Sequence, residues 1–175
     1  YRELYKPDEK PLAIMVPAWN ETGVIGNMAE LAATTLDYEN YHIFVGTYPN
    51  DPQTHADVEQ VRAHFPNVHS VVCARPGPTS KADCLNNVLD AIFQFEQRSG
   101  IAFAGFILHD SEDVLSRLEL RLFNFLVDRK DLIQLPVYPL ERPLREFTGG
   151  HYLDEFAELH AKDIVVREAL VGQVP

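Results

Sequence analysis

Short apolar runs alternate with amphipathic runs along most of this 175-residue chain. The apolar runs have the length of strands, and the runs between them repeat their apolar residues at the spacing of a helix. This pattern predicts strands at Leu12–Val16, Tyr41–Thr47, Val68–Cys73, Phe103–His109 and, as a fifth, Leu132–Leu135. It predicts helices at Glu21–Thr35, around Val58–Phe65, at Lys81–Arg98 and at Arg117–Asp128.

Strands that are apolar on both faces and separated by helices are typical of a mostly parallel sheet with right-handed crossovers. The order of elements therefore predicts an α/β fold with helices flanking the sheet. In such a sheet, ligands bind beyond the carboxyl ends of the strands. The segments expected at those ends are Pro17–Glu21, Tyr48–Asp51, Arg75–Lys81 and His109–Asp113.

After about Pro136, apolar and amphipathic runs no longer alternate in a regular way. Residues 141–150 are charged and irregular and predict a loop, whereas Tyr152–Val171 has helical spacing. We therefore divide the chain into an α/β half, residues 1–136, and a loop and helical segment, residues 137–175. The chain ends without an evident closing element, so we expect it to stop within the second half of its domain.

The formal net charge of −11 narrows the choice of ligands. A chain this acidic is repelled by a phosphate backbone, which argues against nucleic acid as a partner. A phosphate-bearing ligand then needs a local cation, either a lysine or a bound metal. Cys73 and Cys84 lack zinc-type spacing, and we predict buried thiols. Since no run reaches the roughly 18 apolar residues of a membrane span and no secretory signal is evident, this piece is expected to be soluble and suited to a reducing cytosol.

Three carboxylates follow the fourth predicted strand in His109-Asp-Ser-Glu-Asp113. Carboxylates this close repel one another unless a cation lies among them, and Mg²⁺ or Mn²⁺ bridges such oxygens to the phosphates of a nucleotide. Asp110 and Glu112 point the same way in an extended segment and are the predicted metal ligands. The alternative is that Asp113 caps the following helix. We interpret His109 as a packed residue, or as one that supports the metal ligands from behind, rather than as a ligand itself.

Three other residues at the strand ends each allow two interpretations. Lys81 opens the third predicted helix, and its ammonium with the helix N-terminus predicts an anion site, although most lysines are simply solvated. Asp51 is placed to hydrogen-bond a base or ribose, and Asp-Pro is equally common in turns. Trp19 is suited to stacking on a base or to filling the core.

Four segments of the chain resemble, in the right order over roughly residues 12–135, the motifs of family 2 glycosyltransferases. Val16-Pro-Ala-Trp-Asn-Glu21 is similar to the opening strand of that family, and Lys81-Ala-Asp-Cys-Leu-Asn86 to its Lys-Ala-x-x-Leu-Asn helix start. Asp51 occupies the position of the acidic residue that ends the second strand in that family, and Asp110–Asp113 occupies the position of its D-x-D metal motif. The amino acids in these motifs are most similar to those of a group of inner-membrane members of the family. The full chains of that group also carry membrane helices and a cyclic-di-GMP-binding domain.

This resemblance implies a Rossmann-like GT-A nucleotide-sugar-binding fold that uses Mn²⁺ or Mg²⁺. It also implies that residues 137–175 are the start of an acceptor half that is incomplete here. It implies inverting transfer from a UDP-sugar donor to a glycan or lipid-linked acceptor at the cytoplasmic face of the bacterial inner membrane. The implied nucleotide-sugar contacts are Ala18, Trp19, Glu21, Asp51, Lys81 and Asp110. Asp110 and Glu112 are the implied metal ligands.

The chain also departs from the family pattern. Glu112 stands in place of the second Asp of the motif, and Tyr48-Pro-Asn-Asp-Pro52 in place of the usual Asp-Asp-Gly-Ser. The later family motifs, which supply the general base, are absent, so we assign no catalytic residue, expect the base beyond Pro175 and expect this fragment to be inactive in transfer. A non-catalytic nucleotide-binding module, a nucleotidyltransferase of similar fold and a domain that binds another phosphate stay open as alternatives.

Overall fold

The structure, a computed structural model, describes residues 1–136 and, further along, residues 166, 169 and 170. The chain forms two compact units, Tyr1–Asp131 and Leu132–Pro175. In the second unit, residues 166, 169 and 170 are helical. The predicted loop at residues 141–150, the rest of the predicted helix at Tyr152–Val171 and the assignment of residues 137–175 to an acceptor half lie outside the described residues.

Strands and helices alternate in the first unit in the order that the apolar pattern predicts, after a 3-10 helix at Arg2–Tyr5. The strands are β1 (Leu12–Pro17), β2 (Tyr41–Thr47), β3 (Val68–Val72) and β4 (Gly105–Leu108). The helices are α1 (Ile25–Thr35), α2 (Pro52–His64), α3 (Lys81–Ser99) and α4 (Glu119–Leu126). The sheet has the order β3-β2-β1-β4, and its strand pairs are parallel. The predicted α/β fold of the GT-A kind is confirmed.

The central strand β1 determines how the helices are distributed. Leu12, Ile14 and Val16 are fully buried in a cluster with side chains of α1, α2 and α4. Ala13 and Met15 belong to a second cluster with side chains of α3. Successive side chains of a strand point to opposite faces, so one apolar strand requires helices on both sides. Each large side chain buried in this way stabilises the fold by roughly 1.5–3 kcal/mol.

Two predicted elements differ from the observed ones, α1 in where it begins and β4 in how far it is buried. Helix α1 begins at Ile25 rather than Glu21, because Asn20 (φ 60°) and Gly23 (φ 78°) have left-handed backbone that a right-handed helix does not contain. The apolar pattern predicts that β4 is buried on both faces, but its Phe106 and Leu108 side chains are 43% and 48% exposed. Strand β4 lies at the edge of the described sheet and has a neighbouring strand on one side only.

The fifth strand predicted at Leu132–Leu135 is wrong. These residues have no regular secondary structure, and no strand in the described part of the chain pairs with them. Leu132 is 70% exposed, and the following Pro136 has no N–H to donate to a ladder. Among the described residues, this short apolar run thus has no neighbour with which to form the backbone hydrogen bonds of a strand.

The rings of two histidines on neighbouring strands contact each other on the face of the sheet that α3 covers. Nδ1 of His42 on β2 lies 2.9 Å from Nε2 of His69 on β3, and the ring of His69 stacks on Phe44 with centroids 4.6 Å apart. Burial lowers the pKa of His42. Burial, with the neighbouring charges of His42 and Arg62, lowers the pKa of His69 to about 4. The pair is therefore neutral at pH 7, with one ring donating to the other.

We predict that this histidine pair makes the fold less stable as the pH falls from about 6.5 to about 4. The unfolded chain binds a proton near the ordinary pKa of 6.5, whereas folded His69 does so only near 4. Its contribution is therefore present above pH 6.5 and is lost through this window. Because the ring is partly screened by solvent, we expect a loss of roughly 1–2 kcal/mol. Urea unfolding at several pH values measures it.

His69→Phe, which keeps an aromatic ring against Phe44, should flatten this dependence on pH. His64→Gln on α2 is the matched control, because His64 is exposed and should leave the dependence unchanged. The prediction fails if His69→Phe loses as much stability between pH 6.5 and 4 as the wild type does.

Candidate functional site

The loops that follow β2 and β3 are joined by side-chain hydrogen bonds. Oδ1 of Asn50 accepts from the Gly77 N–H, and Nδ2 of Asn50 donates to the Gly77 carbonyl, both at 2.7 Å. The hydroxyls of Tyr48 and Thr79 lie 2.7 Å apart. The segment Tyr48–Asp51 therefore holds the loop that leads into α3.

Asp51 joins the loop after β1 to helix α2. Its Oδ1 accepts from the Thr54 N–H at 3.3 Å, which caps α2, and its Oδ2 accepts from the Asn20 N–H at 2.7 Å. The residue is 6% exposed. Because backbone N–H groups engage both carboxylate oxygens, Asp51 has a structural role here. Its contact with a base stays a prediction.

Trp19 packs against the protein's own loops. Its ring makes an edge-on contact with Tyr48, with centroids 5.1 Å apart. A Cβ atom on Gly77 would lie 2.4–2.5 Å from carbons of the indole. Only glycine therefore permits the β3–α3 loop to approach Trp19 this closely. Packing accounts for the present position of Trp19, and stacking on a base stays a prediction.

Ala18 and Glu21, the other residues predicted in the nucleoside pocket, lie in the same loop after β1. Ala18 is 1% exposed, and its N–H donates to the Gly46 carbonyl at 2.8 Å. Glu21 is partly exposed, and its N–H donates to Oγ1 of Thr54 at 3.0 Å. Both residues thus lie near the carboxyl end of β1, and their nucleoside contacts stay predictions.

An ion pair connects the start of α3 to the segment after β4. Nζ of Lys81 pairs with Oδ1 of Asp110, and each side chain is 50% exposed, so the pair is accessible from solvent. Ser80 caps α3 by accepting from the Asp83 N–H at 3.1 Å. The positive end of the α3 dipole therefore lies beside the Lys81 ammonium.

Asp110 and Glu112 have the donor chemistry of a Mg²⁺ or Mn²⁺ site. Both are exposed, and Oε2 of Glu112 accepts from the Ser111 hydroxyl at 3.2 Å. Among the described residues, no three or more His, Cys, Asp or Glu side chains form a group that would hold a metal. Mg²⁺ is commonly held by one or two carboxylates and completed by phosphate oxygens and water. The segment is a turn rather than the extended stretch expected from the sequence, so the spacing of Asp110 and Glu112 does not by itself make them point the same way. Their carboxylate oxygens are the type of ligand that these metals prefer, and their role as metal ligands stays a prediction.

His109 lies between two carboxylates next to Asp110. Its Nδ1 is 3.1 Å from Oδ2 of Asp113, and its Nε2 is 2.6 Å from Oε1 of Glu119 on α4. Burial alone would lower the pKa of His109, but the hydrogen bonds to Asp113 and Glu119 raise it to about 9. The hydrogen bond to His109 in turn lowers the pKa of Asp113. His109 is therefore a charged, packed residue at pH 7.

The alternative that Asp113 caps the following helix is wrong. Helix α4 begins only at Glu119, and its N-cap residue, Leu118, makes no side-chain cap. Oδ2 of Asp113 instead accepts from the Asp110 N–H at 2.9 Å, and the Asp113 N–H donates to the Asp110 carbonyl at 3.1 Å. Asp113 thus closes the turn that carries Asp110 and Glu112.

The two cysteines are buried free thiols, as predicted. Their Sγ atoms are 3.5 Å apart. Burial raises the pKa of both thiols, that of Cys73 to about 12. Neither is a thiolate nucleophile at neutral pH.

Asn50 and Glu119 make contacts that shape the candidate site, although no sequence motif indicated either residue. Asn50 lies in a Tyr-Pro-Asn-Asp-Pro segment, which reads as a turn, and Glu119 lies ten residues after His109 in a helical pattern. An asparagine in a turn and a glutamate in a first helical turn are both common. No local pattern therefore distinguished either residue.

Comparison with known proteins adds independent information. The sequence pattern of the family described as glycosyltransferase-like family 2 matches residues 7–171. Two relatives are each 80% identical over all 175 residues: bacteriophage adsorption protein B of Escherichia coli strain K12 and bacteriophage N4 adsorption protein B of Escherichia coli O157:H7. The chain covers 24% of the length of each relative. In the part of the chain that the structure describes, no helix is both long and apolar enough to cross a membrane.

Proposed function

Because this chain belongs to glycosyltransferase-like family 2, we propose that it binds the UDP part of a nucleotide-sugar donor together with Mn²⁺ or Mg²⁺. The observation that carries this proposal is the solvent-accessible pair of Lys81 and Asp110 at the carboxyl end of the sheet. Ligands of open α/β sheets bind at this end. The start of α3 lies at the same place, which favours an anion.

The charge of the chain supports a combined role for lysine and metal. With a net charge of −11, the protein attracts a diphosphate only where local positive charge outweighs its general repulsion. Lys81 would donate charge-assisted hydrogen bonds to the diphosphate oxygens. Asp110 and Glu112 would hold the metal, which offsets negative charge on the departing diphosphate when it is bound. Ala18, Trp19, Glu21 and Asp51 would border the nucleoside.

We propose that the parent protein transfers the sugar with inversion to a glycan or lipid-linked acceptor. A carboxylate base removes the proton of an acceptor hydroxyl, whose oxygen attacks the anomeric carbon as the bond to the diphosphate breaks. We propose that this base lies beyond Pro175, so that the fragment alone is inactive in transfer. The proposed location is the cytoplasmic face of the bacterial inner membrane, with the membrane contact and cyclic-di-GMP binding in other regions of the protein.

Glu112 favours a second candidate function, that of a nucleotide-binding module without transfer activity. Its longer side chain, in place of the aspartate of the family motif, alters the distance between carboxylate and metal. A nucleotidyltransferase is less well supported, because it is expected to have a glycine-rich phosphate loop after the first strand. Gly26 lies within α1, as expected from the helical pattern, whereas Gly23 lies in the loop before α1. One glycine in that loop does not make it glycine-rich. Assay of the full-length protein in membranes with labelled UDP-sugars separates transfer from binding alone.

We predict that UDP binds to this chain in the presence of Mn²⁺ or Mg²⁺ and at least about tenfold more weakly in EDTA, since the carboxylates repel an uncompensated diphosphate. Isothermal titration calorimetry with UDP, CDP, GDP and ADP measures both the metal requirement and the choice of base. Equal affinity with and without metal would refute the metal role. Absence of binding by every nucleotide would refute the proposed function.

A further inference from the structure

We propose that Glu119 and His109 are positioning residues that hold the turn carrying the metal-binding carboxylates, an inference that rests on the proposed function. A continuous chain of contacts leads from α4 to this turn. Oε1 of Glu119 is 2.6 Å from Nε2 of His109, and Nδ1 of His109 is 3.1 Å from Oδ2 of Asp113. The same Oδ2 accepts from the Asp110 N–H at 2.9 Å.

The side chains that link α4 to the turn become more exposed from Glu119 to Asp113. The side chains of Glu119 and His109 are only 9% and 14% exposed, whereas that of Asp113 is 32% exposed. A charge-assisted hydrogen bond of 2.6 Å that is largely shielded from water is strong and directional. The chain of contacts thus begins at a fixed, buried carboxylate and ends at the accessible turn.

Helix α4 is held in place by contacts with parts of the fold other than the turn. Leu120 is fully buried in the core cluster. Arg121 pairs with Glu9 at 2.7 Å and with Asp37 at 3.5 Å. Because these contacts fix α4 against other parts of the fold, its Glu119 holds His109, and through His109 and Asp113 it holds the Asp110 backbone.

A metal site depends on the groups that orient its ligands as well as on the ligands themselves. Loss of such an orienting partner typically lowers metal affinity roughly 10–100-fold. Glu119→Gln keeps the size of the side chain but removes the charge that holds His109. We therefore expect it to raise the Mn²⁺ concentration that half-saturates UDP binding about tenfold, while the metal-independent affinity for uridine stays unchanged.

The chain offers both a readout and a matched control. Trp19 is the single tryptophan of the sequence and lies in the loop after β1 with Ala18 and Glu21, so we expect its fluorescence to change when UDP binds during Mn²⁺ titrations. Calorimetry checks the affinities. Glu59→Gln is the control, because it removes a carboxylate that pairs with Arg62 within α2, and it should leave the Mn²⁺ dependence unchanged. Thermal unfolding compares the stabilities of both variants.

The outcomes separate a positioning role from a structural one. A folded Glu119→Gln variant with wild-type Mn²⁺ dependence would overturn the proposal, as would equal losses for uridine and for UDP with Mn²⁺. If Glu119→Gln does not fold, Asp113→Asn tests the more exposed end of the same contacts and should give the same rise, whereas wild-type behaviour would overturn the proposal. A wild type that binds UDP without regard to metal would instead refute the metal role on which the inference rests.

Discussion

Replacing Asp110 by asparagine should lower the Mn²⁺-dependent affinity for UDP by at least about 100-fold. Loss of a group that orients a ligand already costs roughly 10–100-fold in metal affinity, and loss of the ligand's own charge should cost more. The side chain is half exposed and pairs with Lys81, so asparagine fits without repacking of the core. Calorimetric titration of UDP at a fixed Mn²⁺ concentration measures the effect, and thermal unfolding verifies the fold.

Two other variants calibrate this result. Asp128→Asn also takes a carboxylate from a lysine, Lys10, which precedes the amino end of β1, and it should leave UDP affinity unchanged. Asp113→Asn should cost about tenfold, since Asp113 orients the turn without being an assigned ligand. Equal losses at Asp110 and Asp113, with folding intact, would refute the assignment of Asp110 as a metal ligand.

Replacing Lys81 by alanine should lower the affinity for UDP about 10- to 150-fold and that for uridine very little. Hydrogen bonds to charged groups contribute about 1.5–3 kcal/mol, and only UDP has a diphosphate to accept them. The accessible ammonium beside the start of α3 is suited to this contact. Paired titrations of UDP and uridine measure the difference.

Lys10→Ala is the control for Lys81→Ala, because it removes the same charge and a similar carboxylate pair. Loss of Lys81 also frees Asp110, so the Mn²⁺ concentration that half-saturates UDP binding should not increase. If uridine and UDP lose affinity equally, Lys81 contacts the base or ribose and not the diphosphate.

The arrangement of the site could be predicted only in part. The sequence predicted four ligand-binding segments at the carboxyl ends of the strands. Two of these segments contact each other through the Lys81–Asp110 ion pair. The detailed roles of Asp51 and Asp113 could not be predicted, because a carboxylate near a helix start is compatible with capping, turn closure and ligand binding alike. The structure assigns capping of α2 to Asp51 and turn closure to Asp113.

The sequence by itself determined the order of strands and helices and the segments at the strand ends. The alternation of side chains in a strand and the spacing of apolar residues in a helix are local properties of the sequence. They can be read directly because each element must bury its apolar side chains on the side that faces the core. Only the tertiary structure decided that Trp19 packs on Gly77 and that Glu119 holds His109. Contacts of this kind arise when the strand order β3-β2-β1-β4 and the helices docked on the sheet bring together residues that are far apart in sequence. No local pattern encodes which distant loop or helix becomes a neighbour, since that follows from the packing of the whole sheet.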